Sequence, residues 1–581
     1  MIKTLAKSIR EYKWAALLSP LCMVGEVFME TRIPRVLSRI VDLGVTLGDM
    51  GAVIRYGLLL VLFSICSLCF GVASAYYASS AGTGFAKNLR HDMFYRVQTF
   101  DFANIDKFST ASIITRITSD SANLQMTFQM MIRMAIRCPM MLILATTNAF
   151  TISPRLCLVY CIALPVLALG LFILIRFTHS IFERAFKTFD RLNNVTQENL
   201  HGIRVVKAFV REDKETQKFT DVSTDIYNDF SKAEKLMAIN SPLMQLTVYS
   251  CIIAISFLGA KMVVGSGNGT LSDGLTTGEL TAMFTYTGQI LSSLMMLSMV
   301  FIMLTISRAP MKRAYELLKE EPELHNPQNP VMEVQDGSID FNDVSFRYAK
   351  TAKRRALGDI DVHIESGMTV GIIGGTGSGK STLVQLIPRL YDVTAGSLKV
   401  GGVDVKDYDI QVLRNAVSMV LQKNELFSGT IKENLRWGNP DATDAEMEHA
   451  CRLACAHEFI ERFPDGYDTF IEQGGKNVSG GQKQRLCIAR ALLKKPKILI
   501  LDDSTSAVDT RTDAMIRKAF AQEIPGTTKL IIAQRIASVQ ESDLILVMDG
   551  GHIVATGKHE DLLQTSQIYR EVYESQTKGV E

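Results

Sequence analysis

The chain has 581 residues, of which 47% are apolar and 21% charged, and its formal net charge is +2. This length exceeds that of one ordinary domain, and the near-neutral charge gives no electrostatic case for a nucleic-acid partner. Long uncharged runs fill the first half, whereas Lys, Arg, Asp and Glu are dense in the second. The sequence therefore predicts two domains of different kinds.

The first half contains uncharged runs long enough to cross a membrane. A spanning helix needs about 20 apolar residues, and four runs qualify, at 57–78, 156–175, 242–260 and 280–307. Weaker runs at 14–33 and 138–152 complete a set of six. We therefore predict an α-helical transmembrane bundle of six spans over residues 1–307.

The basic residues predict how these spans are oriented. Lys and Arg concentrate before the first span, between spans two and three, and between spans four and five. The alternate loops, near 48–55, 153–155 and 265–278, are nearly free of them. Because Lys and Arg are retained on the cytoplasmic side, we expect a protein of the cell membrane with both termini in the cytoplasm.

Several charged residues lie within the predicted spans. Glu26 and Glu30 are four residues apart and share a helix face, as do Arg133 and Arg137. Such charges usually face a cavity or a partner rather than lipid. Glu26, Glu30 and Arg137 are candidates to line a substrate cavity, with interhelical hydrogen bonding or snorkelling as the alternative.

The connections and the join have their own patterns. The cytoplasmic stretches 88–100 and 199–212 keep helical spacing of apolar residues, which predicts spans that continue into the cytoplasm, or else a solvated amphipathic surface. The sequon-like Asn268-Gly269-Thr270 is interpreted as a turn. Residues 308–332 run from a charged helix into a Pro- and Asn-rich stretch typical of a linker. The remainder, 333–581, is predicted to be a soluble cytoplasmic domain.

The strand-like segment 368–374 of this domain leads into a glycine-rich loop and a helix. The sequence GGTGSGKST matches the phosphate-binding pattern G-x-x-x-x-G-K-[ST] in its strand–loop–helix setting. Its glycines let backbone N–H groups face phosphate oxygens, Lys380 reaches the outer phosphates, and the Ser381 hydroxyl helps to hold Mg²⁺. The candidate residues are Gly374, Gly375, Thr376, Gly377, Ser378, Gly379, Lys380, Ser381 and Thr382.

Two further motifs complete the predicted site of an α/β P-loop ATPase. The buried strand 497–503 ends in Asp502, a candidate Mg²⁺ ligand, and Asp503, placed to orient an attacking water. Between the two phosphate motifs, Ser479, Gly480, Gly481 and Gln482 open a helix with exposed amides. A second anion site of this kind makes sense if it closes over a phosphate held by another chain.

These motifs, in this order, resemble those of ABC transporters. GGTGSGKST, Gln422 in VLQKNELFSGTIKENL, VSGGQKQR and ILILDDSTSAVD stand in the family's order, and six spans before a cassette resemble an ABC exporter half-transporter. The resemblance implies ATP and Mg²⁺ as cofactors. It also implies that Tyr348 stacks on adenine, that Gln422 contacts Mg²⁺, that Asp509 links two ATP sites, and that coupling helices lie near 118–124 and 198–205.

Two positions depart from the family pattern and point to a particular assembly. Most members have Glu where this chain has Asp503, and His where it has Gln534. Asp is shorter by about 1.5 Å, and misplacement of about 1 Å can cost on the order of 100-fold in rate. Gln534 can donate a hydrogen bond but cannot carry a proton. The signature motif is intact apart from Val478 at its first position.

The interpretation is that this chain is the degenerate-site subunit of a heterodimeric exporter, resembling bacterial multidrug transporters. Its partners would be a second half-transporter, the lipid bilayer and a small amphipathic substrate. Its own Walker site would hydrolyse ATP weakly. An ATP-gated regulatory or channel-like subunit and a lipid or peptide exporter remain alternatives.

Overall fold

The chain divides into two compact units in the computed structural model. Residues 1–265, 274–348, 354–503 and 508–577 are described, so the sequon-like Asn268-Gly269-Thr270 lies outside them. The first unit comprises Met1–Gln98 and Thr110–Glu320, and the second comprises Thr99–Ser109 and Glu321–Glu581. The second unit thus takes a short segment from within the helical half of the sequence.

The described part of the first unit is helical. Its helices are α1 (Ile2–Ala6), α2 (Lys13–Arg39), α3 (Met50–Gln98), α5 (Thr110–Thr115), α6 (Ser121–Ile152), α7 (Pro154–His201), α8 (Ile203–Ala208), α9 (Glu212–Ala238), α10 (Asn240–Gly265), α11 (Thr277–Ile306) and α12 (Arg308–Lys319), while α4 (Phe102–Lys107) belongs to the second unit. The predicted linker 308–332 therefore begins as α12. Helices α3 and α7 are 49 and 48 residues long, well beyond the length that crosses a bilayer.

Five helical stretches are long and apolar enough to span a membrane. Within the described residues these are Met50–Gln98, Thr110–Ile152, Pro154–Thr178, Glu212–Gly265 and Thr277–Lys319. Helix α2, which holds the predicted first span at 14–33 together with Glu26 and Glu30, is not among them. The prediction of a helical membrane domain is confirmed, and the structure supports five spans by length and composition.

Buried hydrogen bonds tie the helices of the first unit together. The Tyr286 hydroxyl on α11 donates to the Thr31 carbonyl of α2 at 2.8 Å. The Tyr160 hydroxyl on α7 lies 2.8 Å from Thr287 Oγ1. Such contacts join helices where apolar surface alone gives little preference between lipid and protein.

The second unit contains all twelve strands found in the described residues. They are β1 (Ile339–Phe346), β2 (Leu357–Ile364), β3 (Thr369–Gly374), β4 (Ala395–Val400), β5 (Val403–Asp404), β6 (Val417–Val420), β7 (Gly429–Thr430), β8 (Phe470–Ile471), β9 (Ile498–Asp502), β10 (Thr528–Ile532), β11 (Leu544–Asp549) and β12 (His552–Gly557). Its later helices are α13 (Lys380–Leu386), α14 (Ile410–Ala416), α15 (Ile431–Arg436), α16 (Asp444–Leu453), α17 (His457–Ile460), α18 (Gly480–Leu493), α19 (Thr510–Glu523), α20 (His559–Thr565) and α21 (Gln567–Thr577).

A six-stranded sheet organises the second unit. Its order is β12-β11-β3-β10-β9-β6, with every pair parallel except β11 with the edge strand β12. All five residues of β9 and of β10 are buried, as expected of strands covered on both faces. The adjacent strands β3, β10 and β9 end together, and in open parallel sheets ligands bind at this carboxyl edge. The α/β P-loop prediction is confirmed.

The turns that connect the long helices of the first half of the chain differ in part from the sequence-based expectation. The first loop tip is at residues 99–109, around α4, so its predicted position near 118–124 is wrong. There the chain forms a wide helical turn (Arg116–Asp120) that leads into α6. Asp101 caps α4 by accepting a hydrogen bond from Asn104 N at 2.9 Å. In the sequence this capping pattern is short, and the helical spacing of apolar residues on both sides hides it. At the second tip α7 ends at His201 and α8 follows, within the predicted 198–205 region.

Candidate active site

The phosphate-loop candidates form the turn between β3 and α13. Gly379 has φ 97° and a Cβ there would lie 2.8 Å from Leu357 Cδ2, so the position requires glycine. A Cβ at Gly374 would meet the Met548 carbonyl oxygen at 2.1 Å. Gly375, Thr376 and Gly377 are exposed, while the Ser378 side chain is buried. The loop therefore exposes backbone groups at residues 375–377, while its two ends at Gly374 and Gly379 are tightly packed.

Lys380 and Ser381 occupy the first turn of α13. The Lys380 amine donates to the carbonyls of Gly374 and Gly375, each at 2.8 Å. Burial lowers the pKa of Lys380, and the carboxylates of Asp502 and Asp503 oppose this shift. A cationic amine held over the loop by its own carbonyls can transfer those hydrogen bonds to phosphate oxygens.

Asp502 ends β9 beside the phosphate loop. Its Oδ1 accepts from Ser381 Oγ at 3.1 Å, and the residue is 4% exposed. Burial raises the pKa of Asp502, which the Ser381 hydrogen bond partly offsets. A hydroxyl and a carboxylate this close offer the hard oxygen donors that Mg²⁺ prefers. The two residues fit a magnesium site.

Asp503 and Gln534 are in direct contact, as the sequence analysis placed them at one site. Gln534 Nε2 donates to Asp503 Oδ2 at 2.8 Å. Burial raises the pKa of Asp503, while hydrogen bonds from Gln534 and Gln422 lower it. Asp503 has φ 48°, an uncommon backbone conformation for a residue other than glycine. The structure thus brings two predicted residues, Gln422 and Gln534, to the carboxylate of a third, Asp503.

Tyr348 stands at the rim of the site and contacts a residue that sequence reasoning missed. Its hydroxyl lies 2.9 Å from Thr382 Oγ1, and its half-exposed ring is open to stacking. Tyr391 packs edge-on against it, with ring centroids 5.2 Å apart. The Tyr391 hydroxyl donates to Asp106 of α4 at 2.6 Å. The only signal for Tyr391 was an aromatic residue after α13, which by itself indicates packing.

The signature residues open α18 and are exposed or half-buried. Ser479 Oγ accepts from Gln482 N at 3.3 Å, and Gln482 Oε1 accepts from Ser479 N at 2.9 Å, which forms a capping box at the start of α18. Ser479 and Gly480 are exposed, and Gly481 follows in the first turn. Asp509 is exposed and caps α19 by accepting from Thr512 N at 3.0 Å. These groups are available to a ligand or chain outside this unit.

The intramembrane candidates lie in the first unit, where they bind one another. Arg137 of α6 donates to Glu26 Oε1 at 2.5 Å and to Glu30 Oε2 at 2.7 Å, and both acids lie on α2. Their side chains are 16–30% exposed. The guanidinium thus clamps two carboxylates one helical turn apart.

Comparisons with known proteins agree with this geometry. Residues 16–295 match the family described as ABC transporter transmembrane region, and residues 357–506 match that described as ABC transporter. The "Uncharacterized ABC transporter ATP-binding protein YfiB" of Bacillus subtilis is 33% identical over 98% of this chain and 97% of its own length.

A second relative and a solved structure are also similar. The "Probable multidrug resistance ABC transporter ATP-binding/permease protein YheI" of Bacillus subtilis is 34% identical over 84% of this chain and 83% of its own length. The solved structure of a bacterial Atm1-family ABC exporter with ATP bound has a TM-score of 0.83 and 25% identity, and it covers 98% of this chain and 99% of that one.

Proposed function

The chain belongs to the ABC transporter family, and from that premise we propose that it is one subunit of a heterodimeric exporter whose own Walker site hydrolyses ATP slowly. The membrane domain and the cassette are what this chain shares with other members. The proposal concerns what distinguishes this chain. Its Walker site has Asp503 and Gln534 where most members have Glu and His, and its signature motif is exposed and intact.

One observation carries the proposal: the hydrogen bond from Gln534 to Asp503. An acid that orients water needs a free oxygen at the correct distance, and here one oxygen of a short side chain is occupied by an amide. Gln534 cannot accept or release a proton as histidine does. The site keeps the groups that nucleotide binding requires, because Lys380 and the glycine loop would hold the phosphates and Ser381, Gln422 and Asp502 would hold Mg²⁺.

The exposed signature motif supports pairing with a second chain. Ser479 and Gly480 open α18 in a capped, preformed geometry and are not covered by their own unit. If the partner has Glu and His at its Walker site, the signature motif of this chain would complete one competent site there. Two copies of the present chain would form only two slow ones.

Helix α2 is proposed as the sixth span. Its 27 residues cover about 40 Å at 1.5 Å per residue. The acids that reduce its apolar character are paired with Arg137, which lowers the cost of placing them in lipid. With the positive-inside rule, six spans put both termini and the cassette in the cytoplasm of a cell-membrane protein. A small amphipathic substrate fits the multidrug description of the relative YheI.

ATP hydrolysis by the purified chain tests the proposal. The full-length protein in lipid, without a partner, should bind ATP with Mg²⁺ but turn it over at a small fraction of the rate of an exporter with Glu and His. Brisk turnover that Asp503→Ala abolishes would overturn the proposed asymmetry and leave the transporter assignment intact.

Transport of a dye separates the pump from an ATP-gated channel, which weak hydrolysis would also suit. Inside-out vesicles holding this chain and its partner should accumulate an amphipathic dye against its gradient when ATP is added. Equilibration that stops at equal concentrations would identify a gated path instead.

A further inference from the structure

One side chain of the C-terminal helix spans the switch segment, residues 533–536. Gln576 Nε2 donates to the Gln534 carbonyl at 2.7 Å, and Gln576 Oε1 accepts from Ile536 N at 2.9 Å. A single amide group therefore holds the backbone on both sides of Arg535. Glutamine suits this role because its side chain ends in both a donor and an acceptor.

The segment that Gln576 holds is the one that presents Gln534 to the reacting carboxylate. The Gln534 side chain donates to Asp503 Oδ2 at 2.8 Å, while its own carbonyl is the group bound by Gln576. The segment lies between the end of β10 and the helical turn Ile536–Ser538. Its backbone direction fixes where the Gln534 amide points.

Helix α21 is itself firmly anchored, so it can act as a fixed support. Tyr569 in its first turn is fully buried, and its hydroxyl lies 2.8 Å from His559 Nδ1. Arg570 donates to the carbonyls of Leu563 and Gln564, each at 2.7 Å. Gln576 lies two turns further on, where its side chain reaches the switch segment.

We propose that Gln576 is a positioning residue for Gln534, which makes the C-terminal helix part of the hydrolytic site. The inference rests on the proposed function, in which the hydrogen bond from Gln534 to Asp503 keeps the turnover of this chain slow. Loss of the amide would leave ATP binding intact and let the switch segment move away from Asp503. A partner or modification acting on α21 would then alter hydrolysis without touching nucleotide.

Hydrogen exchange tests the contact independently of ATP. Gln576→Ala in the full chain should speed exchange of the Ile536 amide at least several-fold, because its acceptor is removed. Gln567→Ala is the matched control, since Gln567 is an exposed glutamine of the same helix that bonds only to Glu571 among the contacts described for it. Unchanged exchange at Ile536 would overturn the proposal.

Single-turnover hydrolysis of labelled ATP tests the functional consequence. Gln576→Ala should raise the hydrolysis rate about three- to tenfold, because a displaced Gln534 frees the Asp503 oxygen that it occupies. ATP affinity should change less than twofold, and Gln567→Ala should change neither the rate nor the affinity. In a Gln534→Ala background the Gln576 effect should vanish, because coupled residues are not additive. An undiminished effect there would show that Gln576 acts through the fold alone.

The two hypotheses fail in different ways. Brisk wild-type turnover would overturn the slow-site proposal, yet the comparison of Gln576→Ala in the two backgrounds would still decide the positioning role. Slow wild-type turnover with additive effects would retain the slow site and reject the role of Gln576.

Discussion

Restoring the two family residues should accelerate this chain's own site. Gln534 Nε2 and Asp503 Oδ2 are 2.8 Å apart, and Asp503→Glu extends the carboxylate by one C–C bond, about 1.5 Å. With Gln534 unmoved, the two groups would come far inside hydrogen-bond distance. The single variant must therefore displace Gln534, and the full benefit requires Gln534→His as well.

The size of the effect follows from the displacement. A misplacement of about 1 Å costs on the order of 100-fold, which is about 2.7 kcal/mol in the activation free energy. The double variant should recover most of that factor. Asp503→Glu alone should recover about tenfold, because its carboxylate is correctly placed only in the fraction of molecules whose Gln534 has rotated away.

The assay is steady-state phosphate release by the full-length chain in lipid at saturating ATP and Mg²⁺. Asp503→Asn is the matched control, since it keeps the length and removes the charge, and it should abolish the residual rate. The reasoning is refuted if the double variant binds ATP as tightly as the wild type but hydrolyses it no faster. It is equally refuted if Asp503→Asn retains the wild-type rate.

Three further outcomes are expected. Burial raises the pKa of Asp502, so the folded protein loses stability as pH rises from the pKa of the unfolded chain through the raised pKa of the folded one. Asp502→Asn should therefore raise the calorimetric midpoint without nucleotide by about 2–4 °C at pH 8. This gain should shrink as pH falls through the raised pKa. Tyr391→Phe removes the hydroxyl bonded to Asp106 and keeps the ring packed against Tyr348. ATP affinity should therefore hold within twofold, while dye accumulation in vesicles falls severalfold. Arg137→Gln leaves two unpaired carboxylates on α2 and should lower the detergent melting temperature more than Glu30→Gln does, and equal losses would contradict the clamp.

The sequence predicted the parts of the nucleotide site whose chemistry depends on local spacing. The phosphate loop needs its glycines, Lys380 and Ser381 within a few residues, so a strand–loop–helix pattern suffices to locate it. Asp502 and Asp503 follow a buried strand, and parallel strands place their carboxyl ends at one edge. The contact between Asp503 and Gln534 was inferred from the family pattern, and the 2.8 Å hydrogen bond gives it a physical form.

The contacts that local patterns could not predict join distant parts of the chain. Gln576 is 42 residues from Gln534, and an exposed glutamine near a C-terminus carries no signal of its partner. Residues 99–109 resemble a continuation of the flanking helices, yet they pack with the second unit through Tyr391 and Asp106, 285 residues apart. The periodicity and composition of a segment predict its own secondary structure. They do not predict which distant residue it contacts, because that contact forms only when the domain folds.

The same limit explains the charges in the membrane half. Glu26 and Glu30 share a face in any helix, but neither acid reveals whether it serves substrate or structure. Arg137 provides a guanidinium whose planar fork bonds both at once, so the site carries one net negative charge among these three groups. A span that combines acids with an internal cation can stay in lipid, and one buried oxygen, Glu26 Oε2, still lacks a hydrogen bond among the described contacts. The clamp therefore lowers the cost of placing two acids on α2, and Glu26 Oε2 is left as an acceptor for a further hydrogen bond.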